Sequence, residues 1–304
     1  MSDSERLLLV ASPLMHRTPA FDRAAALAKA KGVPLHIVAF DYVEGLATAG
    51  LVNEQALSEM REGYLLRHRQ WLEEQAVSLR NLKIVVTTEV VWVQRPLEEI
   101  LRHVKELNPS MLIKDLEHES LLMRTLFTPL DLRLLRDCSS SVHLVANVQH
   151  ATPRKILAAV DPFKPEEQFE QFNDQIILAA EKLAAQCNAE LHLLYAYDLS
   201  YMYASEGMGS TLFSAGMGEA VYEAEGKAFT ELADRYRVPP ECRHFIMGVP
   251  AKVITAYAEE ENIDVVVLGT VHRRGLSKLL GSTAEQVVYH MHSSLLAIKP
   301  SPLE

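Results

Sequence analysis

Hydrophobic residues fall in short unbroken runs, and longer stretches of mixed polarity separate them. Leu7-Leu8-Leu9-Val10, Met111-Leu112-Ile113 and Val265-Val266-Val267-Leu268 are examples. Runs of this length without alternation suit strands covered on both faces by helices. The pattern predicts strands over 6–11, 34–41, 83–92, 110–115 and 142–147, then 154–160, 190–197, 241–248, 263–268 and 294–299. Helices are predicted over 18–31, 53–80, 96–107 and 129–137, then 165–187, 218–237, 250–260 and 282–291. Thr18-Pro19 and Thr128-Pro129 each place a capping hydroxyl before a residue that needs no backbone donor. Strand alternating with helix implies a doubly wound parallel α/β sheet.

The pattern occurs twice. Leu7-Leu8-Leu9-Val10-Ala11-Ser12-Pro13 returns as Ile156-Leu157-Ala158-Ala159-Val160-Asp161-Pro162, and Leu35-His36-Ile37-Val38 as Leu191-His192-Leu193-Leu194. Val91-Trp92-Val93-Gln94-Arg95-Pro96 matches Phe245-Ile246-Met247-Gly248-Val249-Pro250, and Asn108-Pro109-Ser110-Met111-Leu112-Ile113 matches Asn262-Ile263-Asp264-Val265-Val266-Val267. Four matches in one order indicate a duplication. The expected domains are 1–149 and 150–304.

Sheets of this kind bind ligands at the carboxyl ends of strands, where the connection order reverses. The second copy is the more informative there. Its fourth strand leads into 269–283, with Gly269, Gly275 and Gly281 among basic Arg273, Arg274 and Lys278. Ser282 with Glu285 reads as a capping box, so a helix is expected to begin at that point. Helix N-termini attract anions, and bare glycines let a phosphate approach the backbone. Other phosphate motifs fail: no Gly-x-x-x-x-Gly-Lys-[Ser/Thr] occurs, and the Gly207 and Gly216 stretches lack the third glycine of a dinucleotide fingerprint.

At these residues the chain resembles the universal stress protein family, in its tandem-domain form. That family carries Gly-x2-Gly-x9-Gly-[Ser/Thr] after the fourth strand, and Asp161-Pro162, 269–283 and Leu295-Leu296-Ala297-Ile298-Lys299-Pro300 are similar to its pattern. The resemblance spans both copies. It implies two tandem five-stranded domains of the Rossmann-like, adenine nucleotide alpha hydrolase-like type. It also implies a role in stress survival, including resistance to DNA-damaging agents, and ATP with Mg as ligand. Asp161 would line the base and ribose end of the site. Gly269, Gly281, Ser282 and Thr283 would hold phosphates, with Gly275 letting the loop fold and Arg273 adding charge. The chain departs from the motif at His272, which stands in the second glycine's place, with eight residues between it and Gly281 rather than nine. The imidazole either obstructs phosphate or, protonated, donates to it. The first copy has lost the pattern: Ser12 replaces Asp161, Asp115 replaces Gly269, and Asp115, Glu117 and Glu119 would repel phosphate. Family domains pair through their last strands, so pairing of the two copies within one chain is expected, with a homodimer as the further option.

Composition narrows the classes. With 48% hydrophobic and 23% charged residues in 304, this is an ordinary globular composition. The apolar runs are far below the ~20 residues of a membrane span. The start, Met1-Ser2-Asp3-Ser4-Glu5, is unlike a secretory signal, so a cytoplasmic protein is expected. A net charge of −10 disfavours direct nucleic-acid binding. Residues 1–150 hold 17 basic and 19 acidic residues and the remainder 13 and 21, so the acidity sits mainly in the copy with the phosphate loop. Three separated cysteines offer no disulfide framework, and His290-Met291-His292 lacks a third metal ligand. His36 and His192 recur by duplication, which favours a structural role. The segment 195–217 is rich in Tyr, Met and Gly, and Tyr197, Tyr201, Met208 and Phe213 are candidates for a lid over the site. No triad or paired-carboxylate arrangement is visible, so a binding or signalling module is expected rather than an enzyme. The alternatives are a binder of an apolar or amphipathic small molecule under 195–217, or a slow nucleotide hydrolase.

Overall fold

The computed structural model describes residues 5–42, 54–117, 129–146, 150–163, 167–198, 216–270 and 281–299. The chain divides into two compact units, Met1–Thr152 and Pro153–Glu304. The first runs β1 (Leu7–Ala11), α1 (Pro19–Lys31), β2 (Leu35–Asp41), α2 (Glu54–Asn81), β3 (Val86–Trp92), α3 (Pro96–Leu107), β4 (Met111–Asp115), α4 (Leu130–Asp137) and β5 (Ser141–Val145). The second runs β6 (Lys155–Ala159), α5 (Glu167–Cys187), β7 (Glu190–Tyr197), α6 (Gly216–Arg235), a single 3-10 turn (Pro240–Cys242), β8 (Arg243–Met247), α7 (Pro250–Glu260), β9 (Val265–Gly269), α8 (Ser282–His290) and β10 (Ser294–Ile298).

Within each unit the strands pair in parallel. The order is β3-β2-β1-β4-β5 in the first and β8-β7-β6-β9-β10 in the second. The expected α/β class, with two tandem five-stranded Rossmann-like sheets, is therefore present. The order reverses between β1 and β4, and again between β6 and β9.

The apolar runs explain the layering. Leu7, Leu8 and Leu9 are fully buried, as are Val265, Val266 and Val267. Each such side chain contributes about 1.5–3 kcal/mol on leaving water. Strands β3 and β8 differ: β3 alternates between buried Val86 and Val90 and more exposed neighbours, and β8 is only half-buried, so the both-faces expectation fails for these two. β3 also starts later than predicted, because Lys83 adopts a left-handed φ of 68° and breaks the extended run.

Helix α1 begins as expected. Thr18 is the cap, its hydroxyl accepts from Phe21 N at 3.4 Å, and Pro19 follows. The helix ends at Gly32, whose φ of 67° places it in the left-handed region that glycine enters freely. Pro129 does not play Pro19's part: it precedes α4 as its cap residue, and Thr128 lies outside the described residues. Among the described residues no helix is long and apolar enough to cross a membrane.

Candidate functional site

The reversal points define two crevices, one per unit. In the second unit Ile156, Leu157 and Ala158 pair with Val265, Val266 and Val267. Past the strand ends this places Asp161 on one side of the crevice and Gly269 and Thr270 on the other. Asp161 is held by its backbone. Its N–H donates to Asn173 Oδ1 at 3.0 Å, and Asn173 Nδ2 donates back to its carbonyl at 2.9 Å. Asn173 is a buried residue of α5, so this clamp fixes the turn that carries the carboxylate.

Gly269 ends β9 beneath α5. A Cβ there would lie 2.2 and 2.5 Å from ring carbons of Phe172 and 3.0 Å from Ile176 Cδ1. The missing side chain therefore makes room for the Phe172 ring, whatever else it does for a ligand. Thr270 is buried, and its N–H and hydroxyl both donate to the Ile298 carbonyl, at 2.9 and 3.2 Å. This ties the start of the loop to the end of β10.

Gly281, Ser282 and Thr283 form the start of α8. The capping box expected from Ser282 and Glu285 is absent. Gly281 is the cap residue, extended at φ −62° and ψ 139°, and Ser282 is the first helical residue. Glu285 N–H donates to the Gly281 carbonyl at 3.0 Å, the first intrahelical bond. Among the described residues no side chain caps this end, and a Cβ on Gly281 would meet no heavy atom within 4 Å. His272, Arg273 and Gly275 lie outside the described residues.

Tyr197 closes β7 and is buried, with its ring stacked on Phe245 at 4.3 Å between centroids. Tyr195, Tyr222 and Phe229 complete an aromatic cluster under α6. Tyr201, Met208 and Phe213 lie outside the described residues. Sequence reasoning missed Glu225, a buried carboxylate on α6 that accepts from the Tyr195 hydroxyl at 3.0 Å. Burial pushes its pKa up, the Tyr195 hydrogen bond works against that, and the Asp161 charge adds to the rise. Its signal was its spacing: three residues after Tyr222 and four before Phe229, it sits on the apolar stripe of α6.

The first unit's crevice is filled by its own charges. Asp115 Oδ1 accepts from Ala20 N–H at 2.9 Å, so a carboxylate takes the anion position at the start of α1. Buried Lys114 pairs with Asp131 at 3.1 Å and with Glu117 at 2.7 Å. Asp131, in the first turn of α4, is buried, holds Lys114 and accepts from Glu117 N–H at 2.9 Å. Nearby, His68 is buried against Asp41, with Tyr64 and Trp71 edge-on to its ring.

Comparison with known proteins agrees with this architecture. The model of the universal stress protein family matches residues 5–146 and again 153–299. Universal stress protein E of Escherichia coli (strain K12) is 30% identical over 304 residues, covering 99% of this chain and 95% of that protein. Among solved structures, a functionally unknown protein from Pseudomonas aeruginosa PAO1 superposes with a TM-score of 0.74 at 23% identity, over 98% of this chain and 93% of the other. A universal stress protein from Archaeoglobus fulgidus DSM 4304 gives 0.63 at 18% identity, over 99% and 98%. The chain belongs to the universal stress protein family, with two copies of its domain in tandem.

Proposed function

We propose that the chain is a stress-responsive binding module of the cytoplasm, with one adenine-nucleotide site in its second unit and none in its first. The observation that carries this reading is the contrast between the two crevices. In the first, Asp115 already accepts from the α1 terminus. In the second, among the described residues, the start of α8 has no side-chain cap and a Cβ on Gly281 would meet nothing within 4 Å. Unfilled N–H groups at a helix start suit a phosphate. Asp161 would face the base and ribose, and Gly281, Ser282 and Thr283 the phosphates. His272, Arg273 and Gly275 belong to the same reading, with Gly269 shaping the strand end. Mg would accompany ATP by balancing phosphate charge. The module signals by occupancy rather than turnover and supports survival of stress that includes DNA-damaging agents. Domain limits of 1–149 and 150–304 are part of the proposal.

Equilibrium titration of the full chain with Mg·ATP tests it. Saturable binding of one nucleotide per chain supports the reading, and no saturation at millimolar nucleotide overturns it. Phosphate release above background would replace the occupancy model with slow hydrolysis. A second reading, an apolar or amphipathic ligand, rests on half-exposed Tyr222 beside the aromatic cluster and on exposed Met247. It predicts that extraction of the purified protein yields a lipid-like compound and no nucleotide.

A further inference from the structure

We infer that the second unit carries a zinc-type metal site at the amino-terminal end of its sheet, formed by Glu190, His192 and Cys242. One donor atom from each residue lies within 4.8 Å of the others. His192 Nε2 is 3.4 Å from Glu190 Oε2, and Cys242 Sγ is 3.8 Å from Glu190 Oε1. Tetrahedral zinc, with bonds of about 2.0–2.3 Å, sets neighbouring ligand atoms roughly 3.3–3.6 Å apart. The three donors need only small side-chain rotations to reach that spacing.

The backbone explains the convergence. Glu190 and His192 are two residues apart on β7 and so share one face of the sheet. Cys242 closes the 3-10 turn directly before β8, the strand paired with β7. Its N–H donates to the Pro239 carbonyl at 2.9 Å, which holds the turn.

A second observation points to a ligand. His192 is buried, and its Nε2 makes no hydrogen bond; its neighbour there is Glu190 Oε2 at 3.4 Å. An orphaned buried nitrogen is costly, and it faces the carboxylate and the thiol. On the other side of the ring, Nδ1 lies 2.9 Å from His244 Nε2, which is in turn 2.8 Å from the Tyr257 hydroxyl. With its proton on Nδ1 and His244 as acceptor, His192 presents the Nε2 lone pair to a metal. A metal-ligating histidine is commonly oriented by such a partner on its other nitrogen.

The donor set suits a borderline cation. Thiolate and imidazole favour zinc over the hard cations that prefer all-oxygen sites. On binding, the Cys242 Sγ–metal bond forms as the thiol proton leaves to solvent. Thiolate and carboxylate then balance the two charges of the ion. Glu190 is exposed, so water can reach the fourth position. The cluster lies at the start of β7, and the nucleotide crevice lies beyond the opposite ends of the strands. Failure of one site therefore leaves the other untouched.

The test is cobalt titration of the full-length, metal-stripped protein, followed by absorption. The expected result is one equivalent of Co²⁺ bound with a sulfur-to-cobalt charge-transfer band in the near ultraviolet, displaced by Zn²⁺. Cys242→Ser should abolish the band and weaken zinc binding by about 100-fold in a chelator competition. Glu190→Gln changes an exposed side chain, leaves folding intact and should weaken zinc about tenfold. His244→Asn should cost about 10–100-fold, as for other orienting partners. Absence of the band in the parent protein overturns the proposal. So does zinc affinity unchanged in the Cys242→Ser and Glu190→Gln double variant.

Discussion

Replacing Gly269 with alanine tests whether this glycine is needed for packing. The new Cβ would stand 2.2 Å from the Phe172 ring, where ordinary contact begins at 3.4 Å, and Ile176 blocks the side at 3.0 Å. The ring must move by more than about 1 Å within a buried layer, or β9 must shift. Overpacking of this kind costs ~1–3 kcal/mol, and the tight flank argues for the upper half of that range. In a unit of this size each kcal/mol lowers the melting temperature by roughly 2–4 °C. The decisive assay is a double-mutant cycle by urea unfolding with Phe172→Leu, which removes the obstructing ring edge. In that background Gly269→Ala should cost less than ~1 kcal/mol, giving a coupling of about 1–2 kcal/mol for groups in direct contact. An equal penalty in both backgrounds would refute the packing argument.

Other consequences are accessible to the same methods. Lys114→Met leaves Asp131 buried without its cation and should destabilise the first unit by about 3–5 kcal/mol in urea, whereas Lys114→Met with Asp131→Leu should recover most of that loss. Glu225 has a raised folded-state pKa, so its contribution is fully present below the unfolded value of about 4.3 and is lost as pH rises through the folded one. Glu225→Gln keeps an acceptor for Tyr195 and should therefore raise the melting temperature at pH 7.5 but not at pH 4. A rise of equal size at both would exclude the carboxylate's charge as the cause. Thr18→Ala removes the α1 cap and should cost about 1 kcal/mol, with Thr18→Ser restoring it.

Much of the architecture was legible because it rests on short-range signals. Unbroken apolar runs marked the central strands, and repetition of Leu-His and Asn-containing segments marked the duplication. The errors came where long-range packing decides. Burial of β3 and β8 depends on what packs against them, which no local pattern states. Ser282 and Glu285 fit a capping box by spacing, and Gly281 took the cap. Gly269 read as a phosphate glycine, and the ring it accommodates lies 97 positions earlier in the chain, in α5. His192 and Cys242 looked unremarkable apart, because the strand pair that joins them is a tertiary feature.

Photolabelling of the full chain with an azido-adenine nucleotide and Mg, with the labelled peptides mapped by mass spectrometry, locates the nucleotide site directly. The expected result is label competed by ATP, confined to peptides of Pro153–Glu304 and lost in Gly281→Val, which puts a branched side chain at the start of α8. Label in peptides of Met1–Thr152, or undiminished label in Gly281→Val, would contradict it.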